Sequence, residues 1–198
     1  GTASSASTRI AGVSQNAAFA LLSSWALRLS GERVIHVTCT HGMSRCVLGT
    51  NRDDVWTEPP CKRCIRQSER LFLGAETIRF EFQEDPAVHA EIESLNIQQL
   101  STYTFKGIPL GELVLPSIRW VLRRHHLFDD HNTKFLYRQF ILSARNILEH
   151  FEALVQSKTP KAVVVFNGMF FPEAIARYAA QKHKIRVITH EAGIQPFS

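Results

Sequence analysis

The chain has 198 residues, 44% of them hydrophobic and 21% charged, with a formal net charge of +5. That length and balance suit one large globular domain with a substantial core, and they exclude a collagenous or low-complexity chain. No run of about 18 apolar residues occurs, so the sequence offers no membrane-spanning helix.

The start, Gly1 to Thr8, is small and polar and lacks the charged-then-apolar order of a secretory signal. Residues 1–15 read as a disordered leader or a truncated first strand, and 16–198 as a single domain. With no mark of export, the expected location is cytoplasmic, with a peripheral membrane contact as a variant.

From Asn16 to Leu29 the chain is rich in Ala and Leu, with Phe19, Leu22, Ala26 and Leu29 at helical spacing. Gly31 marks the end of that helix. Arg33 to Cys39 is a short β-branched run and predicts a buried strand. Thr40 to Pro60 collects Gly, Asn, Asp and Pro and reads as a long loop, which at this length is either functional or locally stapled. A helix is expected over Cys61 to Leu73, an alternating strand over Thr77 to Phe82, and a short helix over Pro86 to Leu95. Thr102 to Gly111 is irregular. Gly111 to Arg124 contains Pro116, so its helix is expected to break there or to begin there. Thr133 to Gln156 draws one apolar stripe through Leu136, Phe140, Ile141, Ala144, Ile147, Leu148, Phe151 and Val155.

The last forty residues read strand, helix, strand. Lys161 to Phe166 is an apolar run of the kind buried on both faces of a parallel sheet. Asn167-Gly168 turns the chain, Pro172 to His183 is helical, and Ile185 to Thr189 is a second strand. This is a βαβ unit with parallel neighbours. The fold class is therefore α/β, a Rossmann-like open and mostly parallel sheet flanked by helices. Its first strand has one candidate, Arg9 to Val13.

In such sheets ligands collect beyond the carboxyl ends of the strands. That rule selects three loops: Thr40-His41-Gly42, Asn167-Gly168-Met169-Phe170 and His190-Glu191-Ala192-Gly193. Each pairs a glycine, which lets backbone N–H groups approach a ligand, with polar or ionisable side chains. Glu191 or one of the two histidines, His41 and His190, is a candidate general base for a hydroxyl nucleophile. Gly42, Asn167, Gly168, Phe170, His190 and Gly193 are the candidate ligand-binding positions of these loops. The plainer alternative makes all of these turn residues that tie loops together.

Cys39, Cys46, Cys61 and Cys64 are the only cysteines. Their C-x6-C-x14-C-x2-C spacing can close a tetrahedral thiolate site around structural zinc, or they are reduced core and surface thiols. Arg119, Arg123 and Arg124, followed by His125 and His126, form the one basic cluster. It reads as a solvated helix face or as a surface for phosphate or anionic lipid. No aromatic interleaving extends beyond it, so nucleic acid is not an expected partner. Neither a phosphate-binding G-x-x-x-x-G-K-[ST] loop nor a G-x-G-x-x-G after a strand is present.

Three passages carry a family resemblance: Leu27 to Cys39 with the cysteine stretch to Cys64, Gly107 to Trp120, and above all Val165-Phe166-Asn167-Gly168 through Pro172-Glu173-Ala174 to His190-Glu191-Ala192-Gly193. In these the chain resembles the N-terminal domain of GT-B-type glycosyltransferases of capsule and surface-polysaccharide biosynthesis. The resemblance implies an acceptor-side half, presenting a sugar or glycolipid acceptor. A C-terminal nucleotide-sugar half would lie beyond Ser198, and this half alone would be inactive. It implies transfer of a sugar from a nucleoside diphosphate to an acceptor hydroxyl. It also implies Glu191 as the first candidate base and His41 as the second if the reaction inverts, neither being needed if it retains, and the loop positions above as acceptor contacts. Two rival readings are a non-catalytic Rossmann-like module that binds a glycan or a partner, and a zinc-stabilised domain built on the four cysteines.

Overall fold

The computed structural model describes residues 15–191. The leader and the candidate first strand at Arg9 to Val13 lie outside them. The described elements are mixed α/β, and the chain divides into two compact units, each considered by itself.

The first unit takes residues 15–40 and 60–80. Helix α1 (Gln15–Leu29) ends in a Schellman turn, with Glu32 N donating to Leu27 O and Gly31 N to Arg28 O. Gly31 takes the left-handed conformation this turn needs, at φ 86°. Strand β1 (Ile35–Cys39) pairs in parallel with β2 (Glu76–Phe80), from Ile35 opposite Glu76 to Cys39 opposite Phe80. Helix α2 (Cys61–Leu71) precedes β2. His36 ties the layers together: its Nε2 lies 2.9 Å from Ser24 Oγ, and its ring stacks on Phe72 at 4.0 Å. Burial, with help from the Arg28 charge, holds the His36 pKa below its ordinary value.

The second unit takes residues 41–59 and 81–191. Its axis is α6 (His131–Lys158), preceded by α3 (Pro86–Glu93), α4 (Ile97–Ser101) and α5 (Leu110–Leu122). Strand β3 (Ala162–Phe166), helix α7 (Glu173–Lys182) and strand β4 (Arg186–His190) follow. The apolar stripe expected on α6 is its buried face, with Leu136, Phe140, Ile141 and Ala144 fully covered. Asp130 caps that helix, accepting from Thr133 N at 2.8 Å.

Pro116 neither breaks nor starts α5, which runs unbroken through it. Proline deprives the Glu112 carbonyl of its helical partner, but Glu112 lies on the exposed side. Val114, Ser117, Ile118 and Val121 bury the other side and hold the helix on both flanks of the proline. At the start of α5, a Cβ on Gly111 would sit 2.1 Å from Leu100 O, so only glycine fits where α4 crosses. Helix α4 itself escaped the sequence reading: five residues are too few to show a 3.6 period. Its signal is the capping box, Asn96 with Gln99.

The βαβ unit forms as expected: β3 and β4 are parallel, from Ala162 opposite Arg186 to Phe166 opposite His190. Two features differ from expectation. Among the described residues the four strands form two separate parallel pairs, β1 with β2 and β3 with β4, in place of one open sheet. The run at β3 is also not buried on both faces: Val165 is 8% exposed but Val164 is 52%, and Ile188 opposite it is 40%. Strand side chains alternate in direction, and the described residues cover one face only.

The long loop after Thr40 is stapled rather than free. Arg45 donates from Nε to Val55 O at 3.0 Å, and Trp56 stacks on Phe135 of α6 at 3.7 Å. Ser143 accepts from Ser44 N and donates to Arg45 O, both at 3.1 Å. Buried Asn146 donates to Gly42 O and Glu81 O and accepts from Gln83 N. No helix of the described residues is long and apolar enough to cross a membrane.

Candidate functional site

The carboxyl ends of β3 and β4 lie side by side because the strands pair in parallel through Phe166 and His190. Their two following loops therefore meet. Asn167 N donates to His190 O at 2.7 Å, and Asn167 Nδ2 donates to a Glu191 carboxylate oxygen. Asn167 Oδ1 accepts from Met169 N at 2.9 Å. One amide side chain thus holds both the turn after β3 and Glu191 just past β4. Asn167 adopts φ 59°, a left-handed conformation that asparagine tolerates better than most side chains. Gly168 follows at φ 74°, packed so closely that an added Cβ would lie 3.2 Å from Thr189 and 3.3 Å from Arg177. The His190 ring meets Phe166 edge-on at 5.4 Å.

The next residues carry the chain into α7. Phe170 packs against Trp120 of α5 at 5.6 Å, while Phe171 is fully buried against Phe140 and its N–H donates to Ser117 Oγ at 3.0 Å. The Phe171–Pro172 peptide is cis. Glu173 then opens α7, at the same end of the βαβ unit as the two loops, because α7 runs back antiparallel to the strands. Burial pushes the Glu173 carboxyl up to about 7, against a hydrogen bond to its own backbone N–H that lowers it. One turn on, the buried Nε of Arg177 has no hydrogen-bond partner, and no ion pair joins Arg177 to Glu173.

Among the sequence candidates, Asn167, Gly168, Phe170, His190 and Glu191 are brought together here. Gly193 lies outside the described residues. His41 and Gly42 follow β1 in the chain, and His41 shares no hydrogen bond with Asn167 or Glu191. His41 is exposed at φ 55°, its carbonyl accepting from Phe82 N at 3.0 Å. Gly42 is buried, and Asn146 holds its carbonyl. Both have work in joining loops, the plainer role weighed for them from the sequence. Glu173 and Arg177 were not among the sequence candidates. The available signal was the acidic residue directly after a proline at a helix start, but its burial depends on tertiary packing.

None of the four cysteines is in a disulfide, and among the described residues no group of three or more His, Cys, Asp or Glu side chains is placed to hold a metal ion. Cys46 belongs to the second unit and the other three to the first. Cys61 and Cys64 share the first turn of α2, and Cys46 Sγ accepts from Gly49 N at 3.2 Å.

Comparison with protein-family models, with curated proteins and with solved structures returns no match.

The described geometry offers two carboxylates, Glu173 and Glu191, and a fixed amide at the carboxyl end of a parallel strand pair. A carboxyl near 7 exchanges a proton readily at neutral pH. An oriented carboxylate and amide can grip the vicinal hydroxyls of a polyol.

Proposed function

We propose that this chain is the acceptor-binding half of a glycosyltransferase. It would move a sugar from a nucleoside-diphosphate donor to an acceptor hydroxyl in polysaccharide or glycoconjugate synthesis. In this reading the α/β elements belong to a Rossmann-like half, and the nucleotide sugar binds to a second half outside this chain. The observation that carries the reading is the Asn167–Glu191 pair at the carboxyl ends of adjacent parallel strands, where open α/β sheets collect ligands.

Glu191 accepts the proton of the acceptor hydroxyl as its oxygen bonds to the sugar's anomeric carbon. The bond from that carbon to the diphosphate breaks, and the nucleoside diphosphate leaves with the electron pair. Asn167 orients Glu191, and Glu173, with its carboxyl near 7, supplies a second proton acceptor. In the full-length enzyme Glu191→Gln should keep the fold and lose at least about a hundredfold in transfer. Unchanged turnover removes Glu191 from the mechanism and His41 becomes the base to test.

A second reading, a non-catalytic module that binds a glycan or a protein partner, is favoured by the uncovered Val164 and Ile188 face. It predicts acceptor or partner binding with no transfer from any nucleotide sugar, even in the full-length protein.

A further inference from the structure

The C-terminal end of α5 carries the basic cluster singled out in the sequence, and the structure surrounds it with uncovered apolar side chains. Trp120 is 46% exposed, Phe128 63% and Met169 58%. Met169 adjoins Phe170, which packs on Trp120, and the Arg124 guanidinium lies over Phe128 at 5.6 Å. Trp120 lies in the last turn of α5, which ends at Leu122, and Arg123 and Arg124 follow directly. Arg123 ends α5 in a left-handed conformation, φ 52°, its N–H bonded to Arg119 O.

The charges here are not balanced. Arg124 pairs with Asp130 at 3.3 Å and Lys134 with Asp129 at 3.4 Å. Arg119 and Arg123 are exposed and have no acidic partner among the described residues. Over 119–134 the count is four cations, Arg119, Arg123, Arg124 and Lys134, against two carboxylates, Asp129 and Asp130. His125 and His126, edge to edge at 4.8 Å, add two exposed imidazole rings.

We infer that this surface docks on an anionic phospholipid bilayer. Arg119 and Arg123 meet lipid phosphates, and Trp120, Phe128 and Met169 enter the interface between headgroups and chains. Unpaired arginines beside exposed apolar side chains are the pairing such an interface selects, since each group finds its preferred layer. Single-stranded nucleic acid asks for open aromatic faces on which bases stack. Here Phe128 has a guanidinium over its ring, and Trp120 has Phe170 against it. The inference does not depend on the transferase reading: vesicle binding and sugar transfer are separate measurements, and either can fail alone.

The test is co-sedimentation of the 198-residue chain with phosphatidylcholine vesicles, with and without phosphatidylglycerol. Binding should require the anionic lipid and weaken as salt rises. Arg119→Gln and Arg123→Gln should each lower the partition coefficient about fivefold, and the pair more than tenfold. Both side chains are exposed, so circular dichroism should show an unchanged fold. Tryptophan emission should shift to the blue on binding, and Trp120→Phe should abolish the shift. Equal binding to neutral vesicles, no binding to either, or full binding by the double variant overturns the inference. So does retention of an RNA oligonucleotide without vesicle binding.

Discussion

Glu173→Gln should make the protein more stable, and only at higher pH. The folded-state pKa is about 7 against an ordinary value of 4.5. Below pH 4.5 the carboxyl is protonated in both the folded and the unfolded chain, and it has no effect. Between 4.5 and 7 the unfolded chain ionises while the folded one holds its proton, so stability falls as pH rises. Above 7 the loss is complete. A separation of this size corresponds to about 3 kcal/mol. The side chain is partly solvent-accessible, which brings the expectation nearer to about 2 kcal/mol in an effective medium more polar than a dry core. Glutamine keeps the shape and cannot ionise. For a chain of this length about 2 kcal/mol is a rise in Tm of roughly 4–8 °C. Thermal unfolding of both proteins across the pH range is the assay. The gain should be near zero at pH 4.5 and grow through neutrality. A gain that is constant with pH would mean a packing effect, and no gain above pH 7 would refute the argument.

Two further outcomes test the frame around the site. Asn146→Ala removes the amide that holds the Gly42 and Glu81 carbonyls and the Gln83 N–H, and of these Glu81 O keeps His150 Nε2 at 3.1 Å. The substitution should lower stability by about 3 kcal/mol in denaturant unfolding, as buried polar groups left without partners do; a loss below about 1 kcal/mol would show that water replaces the amide. Lys184→Gly should raise stability by about 1 kcal/mol, because Lys184 occupies a left-handed cap at φ 59°. Lys184→Ala, with its Cβ retained, should show no such gain.

The sequence made the long periodic elements legible and left their lateral arrangement open. The α6 stripe is read from spacing because one face of a long helix meets one core, a local pattern of 3.6 residues. The βαβ unit is legible for a related reason: short β-branched runs flanking a helix leave few alternatives. How four strands distribute between sheets depends on contacts far apart in the chain, which no local period encodes. The site shows the same division. Asn167 and Glu191 follow consecutive parallel strands, so their meeting follows from topology. The buried state of Glu173 depends on packing around α7, and the Arg45 staple needs backbone carbonyls ten residues away. Neither leaves a mark in composition.

Asn167 and Lys184 share one backbone state, φ 59° in both, for opposite reasons. Lys184 closes a Schellman turn after α7, with its own N–H donating to Gln181 O and that of Ile185 to Ala180 O. These bonds belong to the backbone, so glycine can provide them with less strain. Asn167 makes a backbone bond to His190 O that glycine could keep, and adds two that glycine cannot: its side chain holds Met169 N and Glu191. Strain kept where a smaller residue would relieve it, and answered by side-chain bonds to both loops, is the pattern of a position that orients its neighbours. That places the weight of the βαβ unit on Asn167 and makes the direction of the Glu191 carboxylate a consequence of it.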